Sequence, residues 1–264
     1  MKILFLLVFA TVLFGKEYYA KVEPYEMRKV SSKVAGEIVY VNEYDLGNIL
    51  SSKPYIKIDD SIDKKELISL QKKEKFLQSM LQEDEDILQN IQATLKRKQN
   101  NYDAIKGMKI KSQVEKDGAF YDLIATKNQL LNTKKSIANL ETQISNTKLL
   151  IIKLRKKIKD KSVTAKGFLL YSLLVKPQQV VGIGTPLALI ADISKAKLLL
   201  YLDKDDVYNA KHKVIYINGK KTNYKITRLI KIADTINISK YQAQIIIDAP
   251  KIFSNLVKVE LKDE

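Results

Sequence analysis

The 264-residue chain contains no cysteine and no tryptophan, a single histidine, five prolines and nine glycines. Without cysteine there is no disulfide, no thiol nucleophile and no thiolate-ligated zinc or iron–sulfur site. With His212 alone, a Ser-His-Asp triad has one candidate base, and the histidine-rich metal sites are excluded. Arginine is also scarce. Of 46 basic residues only Arg28, Arg97, Arg155 and Arg228 are arginine, and arginine does the bidentate work on phosphate and guanine. The net charge of +16 is therefore carried by lysines spread along the whole chain, which argues against a specific nucleic-acid footprint. No GxxxxGK[ST] or GxGxxG sequence is present, so Gly182-Ile183-Gly184 reads as turn glycines and not as a nucleotide loop. The acidic groups Asp59-Asp60 and Asp203, Asp205, Asp206 lack the ligand spacing and glycine of a calcium loop, and read as helix starts and solvated turns.

No apolar run is long enough to span a bilayer as a helix. The longest is N-terminal: Met1-Lys2, then Ile3 to Phe14 interrupted only by Thr11, then Gly15 and Lys16-Glu17. This basic, apolar, small-residue order is that of a secretory signal peptide over residues 1–15, and predicts an exported chain. No cysteine follows to accept a lipid anchor.

Proline is missing entirely from Ser61 to Asp160, where Gly107 and Gly118 are the only glycines. Alternating steps of three and four from Leu67 give Leu67, Leu70, Glu74, Leu77, Leu81, Asp84, Leu88, Ile91, Leu95, Lys98, Tyr102 and Ile105, nine of twelve apolar. The same steps from Leu123 give Leu123, Thr126, Leu130, Thr133, Ile137, Leu140, Ile144, Thr147, Ile151, Leu154 and Ile158, eight of eleven apolar with threonine for the rest. Each is a sustained heptad seam, and ordinary surface helices seldom run so far. Residues 61–161 thus read as a coiled-coil hairpin. Two turns compete, Asp117-Gly118 and the stretch around Gly107. The second gives arms of about 46 and 50 residues, about 65–75 Å each, and near-equal arms return the chain ends to one place. Gly107 in a left-handed cap would end the first arm. Ser61 or Asp63 is the expected cap at the start.

The flanks repeat one grammar. Val34-Ala35-Gly36-Glu37-Ile38, Leu46-Gly47 and Ile58-Asp59 precede the hairpin. Ala165-Lys166-Gly167, Gly184-Thr185-Pro186-Leu187 and Ile190-Ala191-Asp192 follow it. Residues 30–60 and 162–192 resemble the two halves of a lipoyl-like β-sandwich split by the hairpin, and residues 193–264 resemble a small β-barrel, with 17–29 as a candidate contribution. In that order these motifs resemble the HlyD-type membrane fusion proteins, the periplasmic adaptors of tripartite efflux and secretion systems. Lys166 stands where that family often has proline, and the chain stops soon after the barrel segment.

The resemblance implies a multidomain α+β fold, no enzymatic activity and no cofactor. The tight turn that carries a lipoyl or biotinyl lysine is replaced by the hairpin. It implies a periplasmic adaptor at the inner membrane, partnered by an RND or ABC transporter, by a TolC-like outer-membrane channel, and by copies of itself in a ring expected to be hexameric. Channel docking falls to the hairpin tip. Counting back from Ser112 through Ile105 to Asn101 places an Arg, Leu, Ser docking pattern on this sequence, with Asn101 replacing arginine, Ile105 replacing leucine and Gly107 between. Two other readings stand beside this one: an exported structural coiled coil without a transport partner, and a basic cytoplasmic coiled coil bound to nucleic acid.

Overall fold

The computed structural model describes residues 16–233 and 239–263. The expected signal segment, 1–15, lies outside them. The chain divides into two units, one formed by residues 58–162 and the other by the chain on either side of them.

The first unit is a pair of antiparallel helices, α1 (Ser61–Ile105, 45 residues) and α2 (Gln113–Asp160, 48 residues), about 68 and 72 Å long at 1.5 Å per residue. Every seam position from Leu67 to Ile105 and from Leu123 to Ile158 is buried or half-buried. Nearly every other helical position faces solvent, so the packing follows the sequence period. Leu77, Leu140 and Ile144 form a buried cluster with Leu81 packed on it. Cross-helix pairs fix the register. Lys157 Nζ lies 2.8 Å from Asp63, Ser136 Oγ donates to Asp84 at 2.6 Å, Lys98 lies 3.9 Å from Asp122, and the rings of Tyr102 and Phe120 are 5.6 Å apart. Asp84 and Lys98 are seam positions, and a polar residue there penalises every other register. The seam threonines cost less. Thr126, Thr133 and Thr147 each donate their hydroxyl to the carbonyl four residues back, which satisfies it locally.

The start of α1 differs from expectation. Asp60 occupies the cap position and makes no capping bond. Asp59 instead accepts from the Ser61 backbone N–H and hydroxyl at 3.0 and 3.1 Å. Asp63 is buried, at 3 % exposure, against the lysines of α2. One of its oxygens takes Lys157, and the other has the Lys161 ammonium as an ion partner without an aligned hydrogen bond. Lys161 also donates to the Asp59 carbonyl at 2.5 Å. Burial pushes the Asp63 carboxyl up, but the two lysines outweigh it and hold it below the usual range.

The second unit is made of strands. An eight-stranded sheet contains β1 (Lys16–Ser31), β5 (Leu169–Leu173), β7 (Pro186–Leu202), β8 (Val214–Ile217), β9 (Lys220–Lys221), β10 (Ile226–Ala233), β11 (Tyr241–Asp248) and β12 (Leu256–Lys262). Its order is β10-β11-β7-β1-β12-β8-β9, with β5 also on β7. β1 alternates as a one-sided strand should: Tyr18, Ala20 and Val22 are buried between exposed Glu17, Tyr19 and Lys21. They join Leu198, Leu200, Leu202, Ile215, Ile245, Val259 and Leu261 in one core. β1 and β7 run without a break through residues 29–30 and 192–193, with register shifts between Pro24 and Glu26 and between Val30 and Ser31. Proline has no ladder donor, which accounts for the first shift.

A four-stranded sheet combines β2 (Gly36–Val41), β3 (Ile56–Ile58), β4 (Ser162–Val163) and β6 (Val180–Val181) in the order β4-β3-β2-β6. Here the segments before and after the helices bond to each other throughout. Ser32 N–H donates to Thr185 O, Gly184 N–H to Ser32 O, Ile38 N–H to Gln179 O, Leu50 N–H to Phe168 O and Gly167 N–H to Leu50 O. Gly184, at φ +85°, makes the turn before β7 in a backbone region that favours glycine. Ile38, Tyr55, Ile56, Leu170 and Leu187 are fully buried.

Candidate functional site

The connection between the helices runs from Lys106 to Ser112, the turn expected near Gly107. Gly118 lies inside α2. The near-equal arms that favoured this turn are present, at 45 and 48 residues, but the glycine cap is not. Gly107 is not in the left-handed region, and nothing stands within 4 Å of where its Cβ would be. What sets the turn is the start of α2. Ser112 is its cap, in a reciprocal box: the Ser112 hydroxyl accepts from Glu115 N–H at 3.3 Å, and Glu115 Oε2 accepts from Ser112 N–H at 2.9 Å. Lys111 adds an ion pair to Glu115 at 2.8 Å. Lys111 first, then the Ser112 backbone and hydroxyl, lower the Glu115 carboxyl to about 2. At the other side α1 ends on the Lys106 N–H to Tyr102 O bond, followed by Met108 N–H to Ile105 O at 3.0 Å. Lys106 pairs with Asp103 at 2.6 Å.

The four residues proposed from sequence stand in different surroundings. Asn101 is exposed near the end of α1, and Ile105 is half-buried as the last seam position. Gly107 is exposed in the connection, and the Ser112 hydroxyl is engaged on both counts by Glu115, donating to Oε2 at 2.9 Å as well. Sequence reasoning passed over the apolar residues of the turn that lie off both seams. Ile110 is 92 % exposed, Val114 81 % and Met108 45 %. Their position outside the heptad was the available signal. Behind them Phe120 packs on Tyr102 and Tyr121, closing the helix pair near the turn.

The acidic group after β7 also has a structural role. Asp203 precedes the short helix α3 (Lys204–Val207), Asp206 lies within it, and both bind the start of β1. Tyr18 donates to Asp206 in a short hydrogen bond, Lys16 pairs with Asp203, and Lys240 and Lys213 add further contacts. Burial and then the Asp206 bond raise the Tyr18 phenol, while Asp206 is held low despite its burial by Tyr18, Lys213 and Lys16. Among the described residues no group of three or more His, Cys, Asp or Glu could hold a metal ion, and no helix is long and apolar enough to cross a membrane.

No family model and no curated protein matches the chain. Solved structures do. MacA from Actinobacillus actinomycetemcomitans is similar with a TM-score of 0.72 over 94% of this chain and 79% of that one, at 16% identity. The membrane fusion protein Spr0693 from Streptococcus pneumoniae R6 gives 0.59 over 95% of this chain and 100% of its own, at 12% identity. A MacA–MexA chimeric protein containing the Pseudomonas aeruginosa MexA α-hairpin domain gives 0.53 over 95% and 82%, at 16% identity. The chain therefore has the mixed fold of membrane fusion proteins, with a long helical hairpin between sheet-forming segments.

Proposed function

We propose that the chain is a periplasmic adaptor that links an inner-membrane RND or ABC transporter to a TolC-like outer-membrane channel for efflux or secretion. One observation carries the reading: a helical pair of 45 and 48 residues interrupts strand segments that bond to each other across the insertion, in a chain that covers the whole length of the membrane fusion protein Spr0693. In this reading residues 30–60 with 162–192 are a lipoyl-like sandwich used for packing, and 193–264 with 17–29 are a small barrel. The end of the hairpin that carries Asn101, Ile105, Gly107 and Ser112 meets the channel. Copies close into a ring, for which six is the number expected. Residues 1–15 direct export and are removed. The role is mechanical coupling with no catalytic step.

Co-purification from crosslinked cell envelopes tests the proposal. Recovery of one transporter and one channel, with Lys16 as the first residue by N-terminal sequencing, is the expected result. An intact Met1 on cytoplasmic material overturns it. An envelope protein that captures neither partner leaves the alternative of an exported structural coiled coil.

A further inference from the structure

The ladder between β1 and β7 opens beside Pro24. Pro24 pairs with Ala196 and Glu26 with Asp192, so Tyr25 alone faces Ile193, Ser194 and Lys195. The Ser194 N–H is spent on the Asp192 carboxylate at 2.9 Å. At this gap lies a cavity of about 290 Å³. Its floor is a row across three strands, with Met27 paired to Ala191 and Ala191 to Leu169. The methyl group of Ala191 between two longer side chains leaves the hollow. Pro24, Ile193, Tyr171 and Phe253 complete an apolar lining. Phe253 is placed by a strained turn. Ser254, at φ +69°, stands in the left-handed region that residues with a Cβ seldom adopt. It is held there by its N–H donating to Val22 O at 2.7 Å and by Val22 N–H donating to Asn255 O at 2.9 Å. Strain of this kind gathers at ligand clamps.

Charge decides what can fill the hollow. Lys21 and Glu23 are the charged residues of its lining. Glu23 is answered by Lys197 at 3.7 Å. Lys21 is exposed and has no ion pair among the described residues. The geometry points to a binding site for a small amphipathic anion, an apolar body carrying one carboxylate or sulfonate. The body lies on the row of Met27, Ala191 and Leu169, and the head meets Lys21 and the Ser254 hydroxyl. Lys21 and Ser254 adjoin through the bonds of Val22, while Met27 lies further along β1, so head and body have separate places. A cation of the same shape would be repelled by Lys21, and a neutral molecule would leave that charge unanswered. Ligand pockets run from roughly 300 to 1,000 Å³, so this one takes a compact molecule. Its lining comes from both strands at the ladder gap. A bound ligand therefore bridges the gap and stiffens β1 and β7 where they are least tied to each other. The site does not depend on the adaptor role.

The test titrates the mature chain with two fluorescent probes: anilinonaphthalene sulfonate, and phenylnaphthylamine, which has the same aromatic body without the sulfonate. The sulfonate is expected to bind saturably and more tightly than the amine. Lys21→Gln should lower sulfonate affinity at least about tenfold, the loss of one charged contact, and leave the amine unchanged. Ala191→Leu fills the hollow and should abolish binding of both. Met27→Asp, at a half-exposed position of the same row, does so from the solvent side should Ala191→Leu fail to fold. Leu131→Ser, exposed on α2, is the control for casual binding to apolar surface and should bind as wild type. Undiminished sulfonate binding by Lys21→Gln, or by a folded Ala191 or Met27 variant, overturns the inference. Hydrogen exchange separates a dissolved ligand from a lipid surface. Decanoate in solution should protect the amides of residues 25–27 and 191–195. Protection by phosphatidylglycerol vesicles alone, or by neither, overturns the assignment to a soluble anion. No outcome here alters the adaptor reading.

Discussion

The hairpin and the strand unit are held together by opposite means. In the hairpin each buried residue meets a partner dictated by one repeating interval, and the packed surface is a single narrow line: Leu77, Leu140 and Ile144 are 4–6 % exposed, with solvent on either side. In the strand unit neighbours come from far apart in the chain. β1 pairs with β12, Lys16 opposite Leu261, and with β7, and Leu198, Leu200 and Leu202 show no exposure at all. The same leucine therefore contributes differently in the two places. The hairpin can lose a rung and close up around it. The strand core cannot collapse onto a void without moving several strands at once.

The largest expected effect breaks that comparison most directly. Leu198→Ala should destabilise the strand unit by about 3–5 kcal/mol, and Leu140→Ala the hairpin by only about 2 kcal/mol, the two ends of the range for leucine truncation. All of the 14 tyrosines except Tyr102 and Tyr121 lie outside residues 58–162, so tyrosine fluorescence follows the strand unit while far-ultraviolet dichroism follows the helices. Equal losses from the two substitutions would show that the hairpin is as tightly determined as the strand core.

Asp63 is the exception within the hairpin, a buried carboxylate where the buried seam positions are apolar or threonine. Asp63→Ala leaves Lys161, itself 8 % exposed, without its counter-ion. The expected cost is about 2–3 kcal/mol, below the usual figure for a fully buried pair because Lys157 is half exposed. The pH dependence has a definite sign. The folded carboxyl lies below its ordinary value, so its contribution is present above about pH 4 and is lost as pH falls through the lowered folded value. Urea melts of wild type and Asp63→Ala should differ most near neutrality and converge in acid. A constant difference across that range would remove the ion pair as the cause.

These contrasts also explain what the sequence made legible. The hairpin could be read position by position because a heptad is local: Leu67 predicts Leu70, and every seam residue so named is buried or half-buried. The turn was found near Gly107 from the near-equality of the arms, 45 and 48 residues, while the cap expected of the glycine was wrong. Ser112 with Glu115 three residues on is a capping box, written in the sequence and not read there. β1 was the hardest element to see. Tyr18, Ala20 and Val22 alternate plainly, but nothing local says that their partners are Leu198 and Val259. Ile110 was missed because an exposed apolar residue stands out only once the surfaces around it are known to be covered.

Tyr55 sharpens the comparison from the strand side. Its ring is fully buried and its hydroxyl meets no hydrogen-bond partner among the described residues, with burial pushing the phenol up to about 12. Tyr55→Phe removes a polar atom that is buried without compensation and should stabilise the strand unit by about 1 kcal/mol. A lower melting temperature for this variant would mean that the hydroxyl is satisfied in solution and that this core is more polar than its lining suggests.

The smallest effect separates capping from docking at Ser112. Ser112→Ala removes the acceptor for the Glu115 N–H and should cost about 0.5–1 kcal/mol, the lower part of the range for an exposed cap. Ser112→Thr keeps a hydroxyl at the same place and should restore most of it. Because Glu115 is lowered to about 2, its share of the cap persists above the unfolded carboxyl's range and is lost only as pH falls toward that value. The alanine penalty should therefore be the same at pH 5 as at neutrality. Under the proposed adaptor role, transport supplies the second readout. With the serine acting as a cap alone, Ser112→Ala transports normally at a temperature where it is folded. Loss of transport by folded Ser112→Ala, restored in Ser112→Thr, would assign the hydroxyl to a partner rather than to the cap.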